Sequence, residues 1–324
     1  MLKDNHGRIV DYARIAITDR CNLRCTYCMP ADGLDWLKKS NILSYEELFQ
    51  TIEILAELGF KKIRFTGGEP FARKDFDSFL KKVCDSKLIP EVHLTTNGIL
   101  AAPFIHELAN WNLAGVNFSL DSLDEKRFYE ITRQNQLNET LAALHSFINS
   151  GIKTKVNAVV MADKNIEDIV PLCELAFKND IEVRFIEEMP FNGGARQSQP
   201  WNAPRIIEHI ENVFGKLTPA NQEANATASR YTLAGSKGSI GIIAAFSRTF
   251  CGTCNRLRFT PSGEIKTCLY EKSSTSWRNV LRSGADKDEL KQFLANVVSK
   301  RFANGFEAEK QRSNIQESMA TIGG

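Results

Sequence analysis

Residues 44–70, SYEELFQTIEILAELGFKKIRFTGGEP, contain one helix and the strand that follows it, and this unit decides the fold. Ser44 and Glu47 have the spacing of a capping box, which predicts that a helix begins directly after the serine. Gly59 is a residue type that commonly ends a helix, and residues 61–66 then alternate as a strand does. One face of the helix is apolar and carries Leu48, Ile52 and Leu55. The stretch therefore predicts an amphipathic helix that packs beside a strand.

The same alternation of strand and helix recurs along the first part of the chain. The strand-like runs lie at residues 14–18, 61–66, 91–96, 115–121, 152–160 and 181–187. Further helical patterns lie at residues 75–86, 103–111, 138–150 and 165–178. Repeated alternation predicts an α/β fold with a parallel sheet and right-handed crossovers. Six units are two short of a closed eight-fold barrel, so we predict an incomplete, open-sided TIM-like (β/α)6 barrel; a flat doubly wound sheet is the alternative.

The six strands carry polar and apolar side chains in alternation, unlike the continuous apolar runs of ordinary buried parallel strands. Because side chains alternate with a period of two, each set shares one face of the sheet. The apolar face comprises Ile15, Ile17, Ile63, Phe65, Val116, Phe118, Val156, Ala158, Val183 and Phe185. The polar face comprises Arg14, Thr18, Arg64, Thr66, Thr95, Asn97, Asn117, Ser119, Asp121, Lys155, Asn157 and Arg184. If helices cover the apolar face, the polar face lines a wet or ligand-filled lumen; the alternative is a solvated sheet face.

Four residues of the polar face are cations: Arg14, Arg64, Lys155 and Arg184. Cations inside a barrel are costly without anions to meet them. We therefore predict that the lumen holds an anionic substrate.

The regular alternation of strands and helices ends at about residue 190. Residues 192–194 and the polar stretch 219–230 have the composition of loops, and the strands around them are short, as in hairpins. No independent second core is evident. We therefore divide the chain into a barrel, residues 1–190, and an extension, residues 191–324, that packs across the open side.

Composition and charge exclude several classes of protein. The 324 residues include 41 basic and 39 acidic side chains, a net charge of +2, which argues against a protein that wraps nucleic acid. Charged side chains interrupt the first twenty residues, and the longest apolar run, residues 238–246, is too short to cross a bilayer. We expect a cytoplasmic protein whose thiols stay reduced unless they bind metal or perform redox chemistry.

Directly after the first predicted strand, residues 21–28 read CNLRCTYC, a C-x3-C-x2-C arrangement. Three thiolates do not complete the tetrahedral site of a structural zinc ion, which takes four protein ligands. Three do suit a cubane iron–sulfur cluster with one iron open to an exogenous ligand. The spacing favours such a cluster on Cys21, Cys25 and Cys28, and zinc with a remote fourth ligand is the alternative.

A second group of cysteines, Cys251, Cys254 and Cys268, has the spacing C-x2-C-x13-C and again supplies three ligands. A second open-site cluster is favoured, with zinc as the competitor because C-x2-C pairs are common in zinc sites. Cys84 and Cys173 fall on helical patterns and predict ordinary buried packing.

The first cysteine arrangement, with Tyr27 before its last cysteine, resembles the signature of the radical S-adenosylmethionine (SAM) superfamily. Residues 66–70, TGGEP, resemble the Gly-Gly-Glu-Pro motif of that superfamily, whose glycines let backbone groups approach a ligand closely. The resemblance implies a partial barrel of six units and a cluster whose open iron binds SAM. It also implies that reductive cleavage of SAM releases a 5′-deoxyadenosyl radical.

Nearly the whole chain resembles one family of this superfamily, the GTP 3′,8-cyclases that open molybdenum-cofactor biosynthesis. The matching stretches are residues 14–30, 63–70, 94–98, 116–121, 155–157, 184–189 and 251–258. The resemblance implies a lyase-type enzyme that removes the 3′ hydrogen of GTP and joins C3′ to C8 of guanine. A later electron and proton transfer would give (8S)-3′,8-cyclo-7,8-dihydroguanosine 5′-triphosphate.

The resemblance also implies the roles of individual residues. The SAM-binding [4Fe–4S] cluster would be held by Cys21, Cys25 and Cys28, and a second [4Fe–4S] cluster facing the guanine by Cys251, Cys254 and Cys268. Contacts to SAM would come from Tyr27, Gly68, Ser119 and Met189, the last through its backbone. Contacts to GTP would come from Arg14, Arg64, Thr95, Lys155, Arg256, Leu257 and Arg258. By spacing alone, the last two arginines are more typical of solvated surface charges.

The chain ends in Gly323-Gly324, which matches a double-glycine tail that reaches into the active site in this family. The resemblance therefore implies that these two residues and Arg14 are catalytic. Without that match, two terminal glycines are typical of a frayed end.

The implied partners are GTP, an electron donor of the flavodoxin or ferredoxin type, and a downstream cyclic pyranopterin monophosphate synthase. We expect a monomer or homodimer, with neither nucleic acid nor membrane as a partner. Two other functions stay open: a radical SAM enzyme with an auxiliary cluster that modifies peptides, and a zinc-stabilised binding module.

Overall fold

The computed structural model describes residues 1–189, 191, 201–222, 224–271, 275–311 and 318–323. Its strands are β1 (Leu2–Lys3), β2 (Ile9–Val10), β3 (Tyr12–Ala16), β4 (Lys62–Thr66), β5 (Glu91–Thr96), β6 (Gly115–Ser119), β7 (Thr154–Val160), β8 (Glu182–Glu187), β9 (Thr218–Pro219), β10 (Ala228–Thr232), β11 (Ser239–Ile243), β12 (Arg256–Phe259), β13 (Glu264–Lys266) and β14 (Thr275–Ser276). Its α-helices are α1 (Tyr45–Glu57), α2 (Phe76–Ser86), α3 (Ile105–Leu108), α4 (Glu125–Thr132), α5 (Leu137–Asn149), α6 (Ile169–Lys178), α7 (Ala203–Phe214), α8 (Trp277–Arg282), α9 (Lys287–Val298), α10 (Gly305–Lys310) and α11 (Met319–Ile322).

Helix α1 forms as its sequence predicts. The hydroxyl of Ser44 accepts a hydrogen bond from the Glu47 backbone N–H at 3.2 Å, and the Glu47 carboxylate accepts one from the Ser44 N–H at 2.6 Å. The apolar stripe of Leu48, Ile52 and Leu55 is buried against the sheet core. The first strand–helix–strand unit is therefore confirmed.

The main sheet has the strand order β14-β13-β12-β3-β4-β5-β6-β7-β8-β11-β10-β9. Strands β3 to β8 pair in parallel in chain order, which confirms the six predicted units. Side chains of β3 and β8 line the same cavity, although five strand spacings would hold them about 24 Å apart in a flat sheet. The sheet therefore curves into the predicted incomplete barrel, and the flat alternative is wrong.

The extension continues this sheet at both edges. Strand β12 pairs in parallel with β3, and β11 pairs in parallel with β8. Hairpins then extend each edge, β12 with β13 on one side and β11 with β10 on the other. Most buried apolar side chains of barrel and extension belong to one cluster, in which Trp277 lies with Phe65. A second, small cluster comprises Phe191, Tyr270, Ala308 and Ile322.

Helix α3 is shorter than the helix predicted over residues 103–111, since it spans only Ile105–Leu108 after a 3-10 turn. The chain turns at Asn112, whose φ is +54°, a conformation that does not continue a helix. Residues 192–194, predicted as a loop, lie outside the described residues. Among the helices that are described, none has the length and apolar character needed to cross a bilayer.

Candidate active site

The polar face of the sheet lines a cavity of about 500 Å³ inside the barrel. The predicted residues that reach it are Arg14, Arg64, Thr95, Asn117, Ser119, Asp121, Lys155, Asn157 and Arg184. Three others from the predicted face, Thr18, Thr66 and Asn97, are buried but do not line the cavity. A cavity of this volume is within the range of small-molecule sites. The interpretation of this face as a lumen is confirmed, and the solvated face is wrong.

Three arginines form one row across neighbouring strands, which we call the arginine row: Arg258 on β12, Arg14 on β3 and Arg64 on β4 are in register. Arg256 lies one strand period away, in register with Tyr12. Burial, together with the positive charge of neighbouring arginines, lowers the pKa of Arg14 to about 10 and that of Arg258 to about 9. Like charges held together under burial favour an anionic ligand.

The cations of the lumen are balanced in part by a carboxylate of the protein. One Glu182 oxygen is 2.6 Å from Arg184 Nε, and the other is 3.3 Å from Lys155 Nζ. Two of the four cations from which an anionic substrate was predicted therefore have a counterion within the protein. Glu182 precedes Arg184 by two residues, so the period of the strand already places it on the same face.

Tyr12 is a cavity residue that the sequence reasoning missed. Its hydroxyl accepts a hydrogen bond from Arg64 Nε at 2.8 Å. Burial alone would raise the pKa of Tyr12, but the charges of Arg64, Arg14 and Arg256 lower that pKa to about 7. The arginine row thus faces a phenol that ionises far more readily than an ordinary tyrosine, whose pKa is about 10.

Ionisation of Tyr12 should appear in the pH dependence of stability. Between pH 7 and about pH 10 the unfolded chain keeps the phenolic proton that the folded chain has released, so the free energy of unfolding rises with pH. The contribution is lost as the pH falls through 7. We expect the stability difference between the wild-type chain and Tyr12→Phe, measured by urea unfolding without ligand, to grow across this interval.

The matched control is Tyr129→Phe, because Tyr129 is half exposed on α4. It should leave the pH profile parallel to that of the wild type. A Tyr12→Phe profile that is equally parallel would contradict the assigned pKa.

The first cysteine group lies in the loop after β3. All eight cysteines of the chain are free, and Cys21, Cys25 and Cys28 are partly buried. Burial raises the pKa of Cys25, and the neighbouring charges of Asp121, Cys28 and Cys21 raise it further. Three neighbouring thiols of this kind fit a group that binds thiolates and compensates their charge, as a metal centre does. As placed, no three His, Cys, Asp or Glu side chains in the described ranges come together around one metal ion.

The Gly-Gly-Glu-Pro loop packs directly on the start of the cysteine loop. The N–H of Gly68 donates to the Thr18 carbonyl at 2.8 Å, and a Cβ on Gly68 would lie 2.2 Å from the Arg20 carbonyl oxygen. This glycine is therefore required by contact between two loops, before any ligand is considered. Glu69 is buried and accepts hydrogen bonds from Thr96 Oγ1 and the Asn97 N–H, each at 2.8 Å.

The predicted SAM contacts are divided between the cavity wall and this loop. Tyr27, Ser119 and Met189 line the cavity, whereas Gly68 does not. The Tyr27 hydroxyl donates to Asp121 at 2.9 Å, and Asp121 also accepts from the Val159 N–H at 2.8 Å. The cysteine loop is thus connected to the carboxyl ends of β6 and β7, where barrel enzymes place their reacting groups.

The second cysteine group also lines the cavity, with Cys251, Cys254 and Cys268 all reaching it. Although burial would raise the pKa of Cys254, the charges of Arg256 and Arg301 lower that pKa to about 6. A thiol that ionises readily is a good metal ligand. The second cysteine group therefore shares one cavity with the arginine row. Of the first cysteine loop, Tyr27 lines this cavity, whereas Cys21, Cys25 and Cys28 do not.

The three predicted substrate-binding residues of β12 alternate between the two faces of the sheet. Arg256 and Arg258 line the cavity, so their interpretation as solvated surface charges is wrong. Leu257 points to the other face, where it is 0% exposed and belongs to the apolar core. A strand residue between two cavity residues faces away, so the Leu257 side chain does not reach the cavity. The substrate contact of Leu257 stays a prediction, and its backbone would have to make it.

The carboxyl-terminal tail returns to the barrel. Ser318 Oγ donates to the Cys28 carbonyl at 2.5 Å, and Arg258 Nη1 donates to the Gly323 carbonyl at 3.1 Å. Gly323 has a φ of +72°, and a Cβ there would lie 2.8 Å from the Ala16 Cβ. Its conformation and its surroundings both require glycine. The interpretation as a frayed end is wrong up to Gly323, while Gly324 lies outside the described residues.

Thr95 Oγ1 and Asn157 Oδ1 are among the buried polar atoms of cavity residues that have no hydrogen-bond partner in the described structure. Buried polar groups are nearly always satisfied, so each is a position where a ligand atom fits. Thr95 was predicted as a substrate contact, whereas Asn157 was predicted only to share the polar face.

Comparison with known proteins defines the class. The model of the radical SAM superfamily matches residues 15–176, and the model described as Molybdenum Cofactor Synthesis C matches residues 181–306. The fold resembles crystal structures of Streptococcus suis SuiB bound to S-adenosylmethionine (TM-score 0.61, 15% identity, 88% of this chain and 68% of that one) and bound to the precursor peptide SuiA (0.61, 16%, 92% and 70%). The chain has the radical SAM fold.

Full-length relatives identify the family within this class. The chain is 38% identical to the GTP 3′,8-cyclase of Thermodesulfovibrio yellowstonii and 36% identical to that of Clostridium perfringens strain SM101, each over 100% of both chains. It is 37% identical to the GTP 3′,8-cyclase of Syntrophomonas wolfei over 97% of this chain and 98% of that one. The chain belongs to the GTP 3′,8-cyclase family of the radical SAM enzymes.

Proposed function

We propose that this chain converts GTP to (8S)-3′,8-cyclo-7,8-dihydroguanosine 5′-triphosphate, the first step of molybdenum-cofactor biosynthesis. The observation that carries the proposal is the arginine row of Arg258, Arg14 and Arg64, which lies in a cavity lined also by the second cysteine group and by Tyr27 of the first cysteine loop. A triphosphate meets the charge requirement of such a row. The full-length relatives named above carry this activity in their names.

The first cysteine group fits a [4Fe–4S] cluster with an open iron, and we assign Cys21, Cys25 and Cys28 as its ligands. Once bound with SAM, this cluster supplies the electron that cleaves SAM and so the radical that removes the 3′ hydrogen. Tyr27, Ser119, Gly68 and Met189 orient SAM at the carboxyl ends of the strands. The hydrogen bond from Tyr27 to Asp121 holds the cysteine loop against those strand ends.

The second group fits an auxiliary [4Fe–4S] cluster, and we assign Cys251, Cys254 and Cys268 as its ligands. GTP lies between the two groups and meets Arg14, Arg64, Thr95, Lys155, Arg256 and Arg258. Thr95 Oγ1 supports this placement because it is buried and has no partner among the described residues. What the side chains contribute is orientation of the ribose and guanine, neutralisation of the phosphates and exclusion of water.

The remaining assignments concern the chain as a whole. Residues 1–190 supply the SAM site, and residues 191–324 supply the auxiliary site and the Gly323-Gly324 tail. The tail contacts the substrate or the arginines that bind it. Arg14 is a further catalytic residue. The enzyme acts in the cytoplasm, where its eight free thiols stay reduced, as a monomer or homodimer. It takes electrons from a flavodoxin- or ferredoxin-type donor and delivers its product to a cyclic pyranopterin monophosphate synthase.

The test uses the full chain, reconstituted anaerobically with iron and sulfide and supplied with SAM, a reductant and GTP deuterated at C3′. We expect 5′-deoxyadenosine that carries deuterium, together with the cyclised nucleotide, and neither product when ATP replaces GTP. Deuterium-free 5′-deoxyadenosine with no cyclised nucleotide would contradict the proposal. A colourless protein that holds zinc would favour the zinc-stabilised binding module. Turnover of a peptide would favour the peptide-modifying radical SAM enzyme.

A further inference from the structure

A buried ion-pair bridge joins the two ends of the described chain beside the second cysteine group. Asp4, in the β1–β2 hairpin, accepts from Arg8 Nε at 2.7 Å and lies 3.2 Å from Nη1 of Arg301, which follows α9. Arg301 is 3% exposed and the Asp4 side chain is fully buried. The bridge connects residues 297 positions apart in sequence, so it is formed only in the complete fold.

The two arginines of this bridge donate hydrogen bonds at, or directly beside, each cysteine of the second group. Arg301 Nη1 donates to the Cys254 carbonyl at 3.1 Å, and Arg301 Nη2 donates to the Cys254 sulfur at 3.5 Å and to the carbonyl of Thr267, directly before Cys268, at 3.4 Å. Arg8 Nη1 donates to the Cys251 carbonyl at 3.0 Å. Two guanidinium groups thus hold the backbone at two of the ligand positions and directly before the third, and one of these groups also donates to a ligand sulfur.

A cation that donates to a thiolate acts on the metal centre as well as on the loop. Hydrogen bonds to ligand sulfurs and the local net charge set the reduction potential of an iron–sulfur cluster. Reduction adds a negative charge, so a buried guanidinium beside Cys254 favours the reduced state. Partners of metal ligands also govern how tightly the metal is retained. Asp4 fixes the orientation of Arg301 and offsets part of its charge.

We propose that Arg301 is a positioning residue that raises the reduction potential of the auxiliary cluster and retains it, with Asp4 as the opposing charge. The inference rests on the proposed cluster on Cys251, Cys254 and Cys268. It extends that proposal to residues outside the cavity wall, which contact neither GTP nor SAM in the proposed arrangement.

The experiment uses the full chain with Cys21, Cys25 and Cys28 all replaced by Ser, so that only the auxiliary cluster forms. In this background we compare Arg301→Gln, Arg301→Lys and Asp4→Asn. The matched control is Arg127→Gln, which breaks the Arg127–Asp168 ion pair (2.6 Å) on another side of the barrel. The readouts are the midpoint potential, from titration followed by electron paramagnetic resonance, and the rate of iron loss to a chelator.

Arg301→Gln should lower the midpoint potential and release iron about tenfold faster or more, and Arg301→Lys should shift both in the same sense by less. Asp4→Asn should raise the potential, because it leaves the Arg301 charge without its counterion. Opposite shifts distinguish an electrostatic role from simple loosening of the loop. If Arg301→Gln does not fold, the signs of the potential shifts in Arg301→Lys and Asp4→Asn are compared instead.

Potentials equal to that of Arg127→Gln, or shifts of one sign for both Arg301→Lys and Asp4→Asn, would overturn the inference. Its failure is distinguishable from failure of the proposed function. If the background without the first three cysteines takes up no iron at all, the assignment of the auxiliary cluster itself is wrong.

Discussion

Removal of Gly323 and Gly324 is expected to abolish formation of the cyclised nucleotide, while iron content and SAM cleavage without GTP stay at wild-type levels. The reason is the contact of the Gly323 carbonyl with Arg258 Nη1 at 3.1 Å, through which the tail orients one end of the arginine row. Because that row is the proposed site of the triphosphate, a displaced Arg258 leaves the ribose misaligned. Misplacement of about 1 Å at a reacting centre costs about 100-fold in rate. The measurement is chromatographic assay of 5′-deoxyadenosine and cyclised nucleotide from one reaction.

A point variant gives the same test without shortening the chain. Gly323→Ala places a methyl group 2.8 Å from the Ala16 Cβ at a φ of +72°, so it should also lose cyclisation. The control is Gly284→Ala, which has a similar φ of +81° but open space around it. It should cost about 1–2 kcal/mol of stability, because alanine adopts the left-handed conformation at a cost, and it should leave activity unchanged. Full turnover by the truncated chain would show that the tail is not part of the active site.

Replacement of one cysteine in each group is expected to separate two activities. Cys25→Ser should reduce 5′-deoxyadenosine to background with or without GTP, because it removes a proposed ligand of the cluster to which we assign SAM cleavage. Cys254→Ser should leave SAM cleavage measurable and reduce cyclised nucleotide to background, because this residue lies across the cavity beside Arg256. Each variant should hold about half of the wild-type iron.

Cys84→Ser is the control for both variants, because Cys84 is buried in α2 within the apolar core and outside either group. It should keep both activities and all of the iron. Normal cyclisation by Cys254→Ser would show that the second group is structural, as in a zinc site.

Local sequence patterns predicted the secondary structure and the cavity face more accurately than they predicted which charged side chains pair with one another. The capping box of α1 and the period of two along the strands depend only on neighbouring residues, so they placed the helix and the cavity face correctly. Leu257 was assigned from its place in a matched motif, and the strand period shows that its side chain turns into the core, which leaves only its backbone near the cavity.

Charges were harder to predict because their partners come from distant segments. Glu182 neutralises Lys155 from the adjacent strand, and Tyr12 meets Arg64 from 52 residues away. The bridge from Asp4 to Arg301 joins opposite ends of the chain, and no spacing within either segment indicates it. Pairings of this kind depend on the closed fold.

The pairing of β12 with β3 and of β11 with β8 has a consequence for biosynthesis. While the ribosome is still making the extension, the nascent barrel exposes two bare edges whose hydrogen-bonding groups attract other strands. The edge at β3, made among the first residues, is covered only after Phe259 has emerged. Until the extension has been made, the unfinished chain is therefore exposed to aggregation through these two edges.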